Sequence, residues 1–161
     1  MLVKIISGGQ TGADRAALDA ALEACFPAGG YCPSGRMAED GVIDRSYPLE
    51  EIDGGYPERT LMNVRVADAT VAFHAGCLSG GTLQTVRCCR EEQKPCLEID
   101  LARLDNAASI RALAEFVRTR DVRLLNVAGP RASGSPEIYT RVRGVIAGLI
   151  ALVQGEGQSS G

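Results

Sequence analysis

A doubly wound α/β domain is the fold this sequence predicts, and three observations point to it. Short β-prone runs alternate with segments whose apolar residues recur at helical spacing, which implies a mainly parallel sheet covered by helices on both faces. Three of those runs end in glycine-containing turns, the pattern of a sheet that binds ligands beyond the carboxyl ends of its strands. The 161 residues, 45% apolar and 23% charged, suit one soluble domain with a real core.

Val3 to Ser7 predicts the first strand. It runs into Gly8-Gly9-Gln10-Thr11-Gly12, after which Leu18, Ala21, Leu22 and Cys25 keep helical spacing. Thr11 and Asp14 have the spacing of a capping box, which starts this helix at about Gly12. Phe26 to Pro57 carries glycines, prolines and paired charges without a period, and so long an irregular stretch points to a functional loop. Thr60 to Val66 predicts a short helix and Ala69 to Ala75 a buried strand, followed by a second glycine loop, Gly76-Cys77-Leu78-Ser79-Gly80-Gly81-Thr82.

Leu83, Val86 and Cys89 open the next helix, and Pro95 to Ile99 is the next strand. Asn106 caps a helix that carries Ile110, Leu113, Ala114 and Val117. Leu124 to Val127 forms the following strand, closed by Ala128-Gly129-Pro130-Arg131. Ser135-Pro136 reads as an N-cap with proline at the first helical position, and Ile138, Val142, Val145, Ile146, Leu149 and Val153 mark one face of a long last helix. Residues 1–154 are read as one domain, and 155–161, with nothing to bury, as a disordered tail.

Charge and cysteine content narrow the partners. A net charge of -3 provides no general drive toward nucleic acid or anionic membrane, and 4% aromatic residues leave few platforms for stacking single strands. The six cysteines form no C-x-x-C pair and read as buried or incidental thiols of a reducing cytosol. Met1 to Ile6 is too short for a signal peptide, and the longest apolar run, Val145 to Val153, falls below the ~20 residues of a membrane span. The expectation is a cytoplasmic protein without membrane or nucleic-acid partners.

Gly8, Gly9, Gln10, Thr11 and Gly12 offer little bulk, backbone N–H groups and a helix N-terminus, the requirements for holding a phosphate or similar oxyanion. The loop lacks the G-K-[ST] of a Walker motif and the third glycine of G-x-G-x-x-G, so a tight turn with Asp14 as a cap is the competing reading. Gly80, Gly81 and Thr82 repeat the chemistry after a second strand, with Thr85 adding a hydroxyl. Arg131, after a third strand, reads either as a cation for a bound phosphate or as a solvated charge. Arg36, near Glu39 and Asp40, reads either as a clamp on a polar ligand or as part of a charge cluster. His74, the only histidine, reads as a polar residue closing a buried strand.

Several segments together resemble a known family: Gly8 to Arg15, Gly30 to Pro33 with Gly35-Arg36 and Ala38 to Gly41, Tyr47-Pro48-Leu49, Arg59-Thr60 with Asn63-Val64, Gly80-Gly81-Thr82, and Asn126 to Arg131. They resemble the family named "Putative molybdenum carrier", a branch of the Rossmann-like group that includes the lysine-decarboxylase-like (LOG-type) proteins and the DNA-processing protein DprA. The resemblance implies a Rossmann-like domain that associates with itself and binds a phosphorylated nucleotide or pterin at its glycine loops, with molybdenum cofactor as the named candidate. The LOG-type loop continues into acidic residues that serve hydrolysis of an N-glycosidic bond, whereas Leu83-Gln84-Thr85 follows here, and Gln84 cannot do a carboxylate's work. A carrier or binding protein is therefore the first reading, and a nucleotide-processing hydrolase with a non-standard site the second. Self-association is expected through the last helix, where Ala147-Gly148 would permit close approach.

Overall fold

The computed structural model describes residues 1–158. In chain order the elements are β1 (Lys4–Ile6), α1 (Ala13–Glu23), β2 (Ala28–Gly29), β3 (Tyr31–Cys32), β4 (Met37–Ala38), β5 (Gly41–Val42) and β6 (Glu50–Glu51). They continue with α2 (Tyr56–Val66), β7 (Ala69–His74), α3 (Gly80–Glu91), β8 (Cys96–Asp100), α4 (Asn106–Thr119), β9 (Leu124–Ala128) and α5 (Ile138–Gln158). The alternation seen in the sequence is realised as a five-stranded, wholly parallel sheet of order β2-β1-β9-β7-β8.

That order has a simple relation to the dinucleotide-binding fold. If β9 and α5 preceded β1, the strands would read 3-2-1-4-5, the order of a Rossmann half. The strand that is last in the chain thus sits at the centre, and strand order reverses between β9 and β7.

The two faces of the sheet differ in chemistry. Ile5, Val71, Phe73, Ile99, Leu125 and Val127 pack with α1, α4 and α5 into the main core. By the two-residue period of a strand, Thr70, Ala72, His74, Asn126 and Ala128 turn to the other face, where α2 and α3 pack together. These residues are short or polar, so that face leaves room at its upper end.

Several local expectations are corrected. No side chain caps α1: Gly12 is its N-cap at φ 78°, while the Thr11 hydroxyl donates to the Glu39 carboxylate and accepts from the Ala132 N–H. Asp105 rather than Asn106 caps α4, accepting from the Ala108 N–H at 2.7 Å. Ser135 closes a turn with the Ile138 N–H, so α5 begins at Ile138, beyond Pro136. Residues 155–158 continue α5 instead of forming a tail; 159–161 lie outside the described residues.

The long α5 meets the length and mean hydropathy of a membrane span, contrary to the expectation from residues 145–153. Its Ile138, Val142, Val145, Ile146, Leu149 and Ile150 are nevertheless buried in the core of this domain. A Cβ on Gly148 would overlap Ile110, so this small residue serves the contact with α4 inside the chain. The irregular stretch after α1 has its own order: β2 extends the sheet, β3 pairs with β6 and β4 with β5. Cys32, Ile43 and Leu49 pack there with Leu18 of α1 into a second, smaller core.

Candidate ligand-binding cleft

A cleft of about 530 Å³ opens beyond the carboxyl ends of β7 and β9, where strand order reverses. One wall is the end of β9 with the turn Gly129 to Arg131, a second the N-terminus of α3, and a third the face of α2 bearing Tyr56, Arg59 and Asn63. His74 and Asn126 line it from the sheet, and Asn126 is oriented by donating from Nδ2 to the Thr70 hydroxyl at 3.2 Å.

At the α3 wall the backbone is open to a ligand. Ser79 is extended and its side chain caps nothing, so the first N–H groups of α3 lack that partner. A Cβ on Gly80 or Gly81 would meet nothing within 4 Å, which makes this stretch of backbone approachable. Thr82 is buried and lines the cleft, as does Gln84 from the next turn. The Thr85 hydroxyl instead donates to the Gly81 carbonyl at 3.0 Å.

The opposite wall is a buried charged group. Asp14 Oδ2 accepts from the Gln10 N–H at 3.2 Å and from Arg59 Nη1 at 3.0 Å. Burial raises the Asp14 pKa, and the Arg59 charge opposes it. Gln10 accepts through Oε1 from the N–H groups of Thr11 and Glu39, at 3.0 and 2.9 Å, which leaves its buried Nε2 with no partner. Arg59 Nε is likewise buried and unpartnered. Buried donors are almost always satisfied, and these two stand beside the cleft without a partner within the protein. At the rim the Tyr56 ring lies 5.5 Å from the Arg59 guanidinium and 5.7 Å from that of Arg131.

The residues expected to bind thus divide. Gly8, Gln10, Asp14, Gly80, Gly81, Thr82, Thr85 and Arg131 come together around the cleft, while Gly9, Thr11, Gly12 and Arg36 do not line it. The first glycine loop is closed from within: the Gln10 N–H meets Asp14, the Thr11 N–H meets Gln10, and the Ala13 N–H meets the Pro130 carbonyl. A Cβ on Gly9 would overlap Leu49, and one on Gly12 would overlap the Pro130 carbonyl, so both glycines serve packing. Arg36 is buried in the loop, its guanidinium donating to the carbonyls of Ile43, Asp44, Tyr47 and Leu49. Of the irregular stretch from Phe26 to Pro57, read as a functional loop, only Tyr56 and Pro57 line the cleft.

Tyr56, Arg59, Asn63 and His74 are cleft residues that the sequence reading did not assign to binding. The first three recur at helical spacing, and that shared polar face on α2 is the signal that could have found them.

Residues 5–150 match the family described as circularly permutated YpsA SLOG. The chain belongs to the circularly permutated YpsA SLOG family. The central position of β9 is what such a permutation of the Rossmann order produces. A crystal structure of a protein named "Putative molybdenum carrier protein", from Syntrophus aciditrophicus SB, superposes on this member of the SLOG family with a TM-score of 0.90. The two are 40% identical, over 92% of this chain and 94% of the other, and the resemblance read from the residues holds. No curated protein matches this SLOG chain.

Proposed function

We propose that this chain is a binding or carrier protein that holds a phosphorylated nucleotide- or pterin-like ligand in the β7/β9 cleft, with molybdenum cofactor as the named candidate. The observation that carries the reading is the pair of buried, unpartnered donors, Gln10 Nε2 and Arg59 Nε, across a cleft from the approachable backbone of Gly80 to Thr82. The α3 N-terminus suits the phosphate, since N–H groups and the helix dipole both favour an anion there. Gln10 and Asn126 carry amides of the kind that read the polar edge of a heterocycle, whereas the Asn63 amide is taken up by the Tyr31 N–H and carbonyl. The name of the 40% identical relative supports a molybdenum-related ligand. Among the described residues no group of three or more His, Cys, Asp or Glu side chains is placed to hold a metal ion.

Binding is favoured over hydrolysis by the cleft's carboxylate content. Asp14 is its one acidic lining residue among those described, and it is paired with Arg59. Glu39 and Asp40 are engaged by Ser133, Thr11 and Arg15 outside the lining. A cytoplasmic protein without membrane or nucleic-acid partners remains part of the proposal on the charge and composition of the chain, and self-association remains part of it on the family resemblance.

The test is calorimetry of the purified protein against nucleoside monophosphates and a pterin phosphate, with mass spectrometry of small molecules released on denaturation. Gln10→Ala should weaken binding by about tenfold, the worth of one buried hydrogen bond. Release of no nucleotide or pterin, together with no binding across the panel, would overturn the reading.

A further inference from the structure

We propose that His74 is an anion-binding residue of the cleft that takes up a proton as a phosphate-bearing ligand enters, its imidazolium then lying between Asp100 and the phosphate. This rests on the reading of the cleft as an anion site and assigns the side chain that couples the site to pH. The proton comes from solvent and rests on the imidazole; no bond of the ligand is made or broken.

The geometry is specific. His74 is the chain's only histidine, ends β7 on the face toward α2 and α3, lines the cleft and is 9% exposed. Its Nδ1 is buried and has no hydrogen-bond partner. Asp100 is its register partner on β8, and Asp100 Oδ1 lies 3.8 Å from that nitrogen. The gap is about an ångström too long for a hydrogen bond. Asp100 is fixed, because Oδ1 accepts from the N–H groups of Gly76 and Ala102 at 2.8 and 3.0 Å, while Arg103 Nε lies 3.5 Å from Oδ2. Those same backbone bonds hold its carboxyl below the usual range, so it is an anion wherever a histidine titrates.

The surrounding charges are poised. From β8 and the turn after it come Asp100 and Arg103, which offset one another; from β9, Asn126 and Ala128 bring no charge. The first turn of α3 carries no ionisable side chain but presents the positive end of the helix dipole, which opposes an imidazolium. Cys77 lies in the turn between β7 and α3, and from the other walls come Arg131 and the Asp14–Arg59 pair. A phosphate at the α3 N-terminus neutralises the helix end and adds a second negative partner for the ring. Both changes favour the protonated form, and a shift of about an ångström completes the Nδ1–H donation to Asp100.

A sole histidine makes the test direct. The ring C–H resonances of His74 are followed against pH in the intact protein, with and without saturating AMP, whose occupancy is read from its phosphorus signal. The titration midpoint should rise by about one unit with AMP bound, equivalent to a roughly tenfold change in relative affinity for the two protonation states. Calorimetry should show AMP affinity falling from about pH 6 to pH 8 by about tenfold more in the parent than in His74→Gln, a comparison that cancels the nucleotide's own second ionisation. Should His74→Gln fail to fold, as judged by its melting curve, the resonance titration of the parent decides alone. An unchanged midpoint with AMP bound overturns the proposal and leaves the anion site standing, whereas no binding of AMP or pyrophosphate at pH 6 overturns both.

Discussion

Arg59 lies directly over Gly8: a Cβ at position 8 would overlap the guanidinium, so glycine there is what lets the arginine reach Asp14 from α2. The first glycine loop therefore serves the cleft by accommodating a cation, although its own N–H groups are largely engaged within the protein. Gly8→Ala should displace Arg59, at a cost of about 1 to 3 kcal/mol for overpacking a close contact. Urea denaturation would register the loss and calorimetry a parallel fall in AMP affinity; an unchanged midpoint and affinity would show that the contact relaxes freely.

The Asp14–Arg59 pair predicts a pH dependence with a definite sign. Burial raises the Asp14 pKa above the 3.8 of an ordinary aspartate, against the opposing Arg59. A raised folded-state pKa means that the folded protein holds the proton more tightly, so this group's contribution is full below 3.8 and is lost as pH rises through the folded value. Arg59→Met removes the opposing charge and leaves burial alone, which pushes the folded pKa further up. The variant should be less stable than the parent by about 3 kcal/mol near pH 7, as for a buried pair broken on one side, and the deficit should shrink toward pH 4. A deficit of equal size at both values would place the effect in packing rather than charge.

Arg36 should behave as a structural residue. It is 8% exposed, sits at φ 53°, and donates to four carbonyls of the segment from Ile43 to Leu49. Arg36→Ala leaves those acceptors without their donor and should cost on the order of 3 kcal/mol in denaturation experiments. Arg36→Lys should recover little, because one ammonium cannot replace the planar fork. Loss of ligand affinity in Arg36→Ala with no loss of stability would return the residue to the binding site.

How much of this was legible in the sequence depended on the range of the contact. Ala69 to His74 announced a strand through its own residues, and the apolar face from Ile138 to Val153 announced a helix. The Arg36 bonds left no such trace, because all four acceptors are backbone carbonyls and any sequence supplies those. Gly9 and Gly12 looked like anion-binding glycines for a similar reason: their small size is required by Leu49 and by the Pro130 carbonyl, neighbours that only the fold brings near. Asp14 was visible as a capping residue, but its arginine lies 45 positions away. Two-residue strands such as β2 are too short to show a period at all.

The six thiols should separate by exposure. Cys25 and Cys77 are exposed, Cys32, Cys88 and Cys89 are buried, and Cys96 is half-buried against the cluster of Val64, Cys88 and Cys89. Hydrogen bonds from Cys96 and Thr70 lower the pKa of the Cys89 thiol, yet its burial keeps reagents away, so acidity and reactivity should part company. Ellman's reagent should modify Cys25 and Cys77 rapidly in the native protein and the buried thiols only on unfolding. Mass mapping of the labelled peptides would check this, and rapid native labelling of Cys89 would contradict the packing of α3 on β8.

Gly81 offers the cleanest test of the α3 cradle. Its φ lies outside the left-handed region, unlike that of Gly80 at 55°, so a side chain at position 81 meets no backbone penalty of that kind. A Cβ there has nothing within 4 Å, which means that Gly81→Val projects its methyl groups into the cleft and not into the protein. The cost to the fold is then the intrinsic one of valine in the first turn of a helix, a few tenths of a kcal/mol either way. A phosphate seated on the N–H groups of α3 would have to withdraw from them, forfeiting charge-assisted bonds each worth about 1.5 to 3 kcal/mol. AMP affinity should therefore fall by more than tenfold while the melting temperature stays close to the parent's. Gln84→Ala, a turn further along α3, provides the comparison: it removes a cleft-lining amide but leaves the N–H groups uncovered, so its effect should be smaller. A folded Gly81→Val protein that binds AMP as tightly as the parent would move the phosphate away from α3 and toward the Arg131 turn.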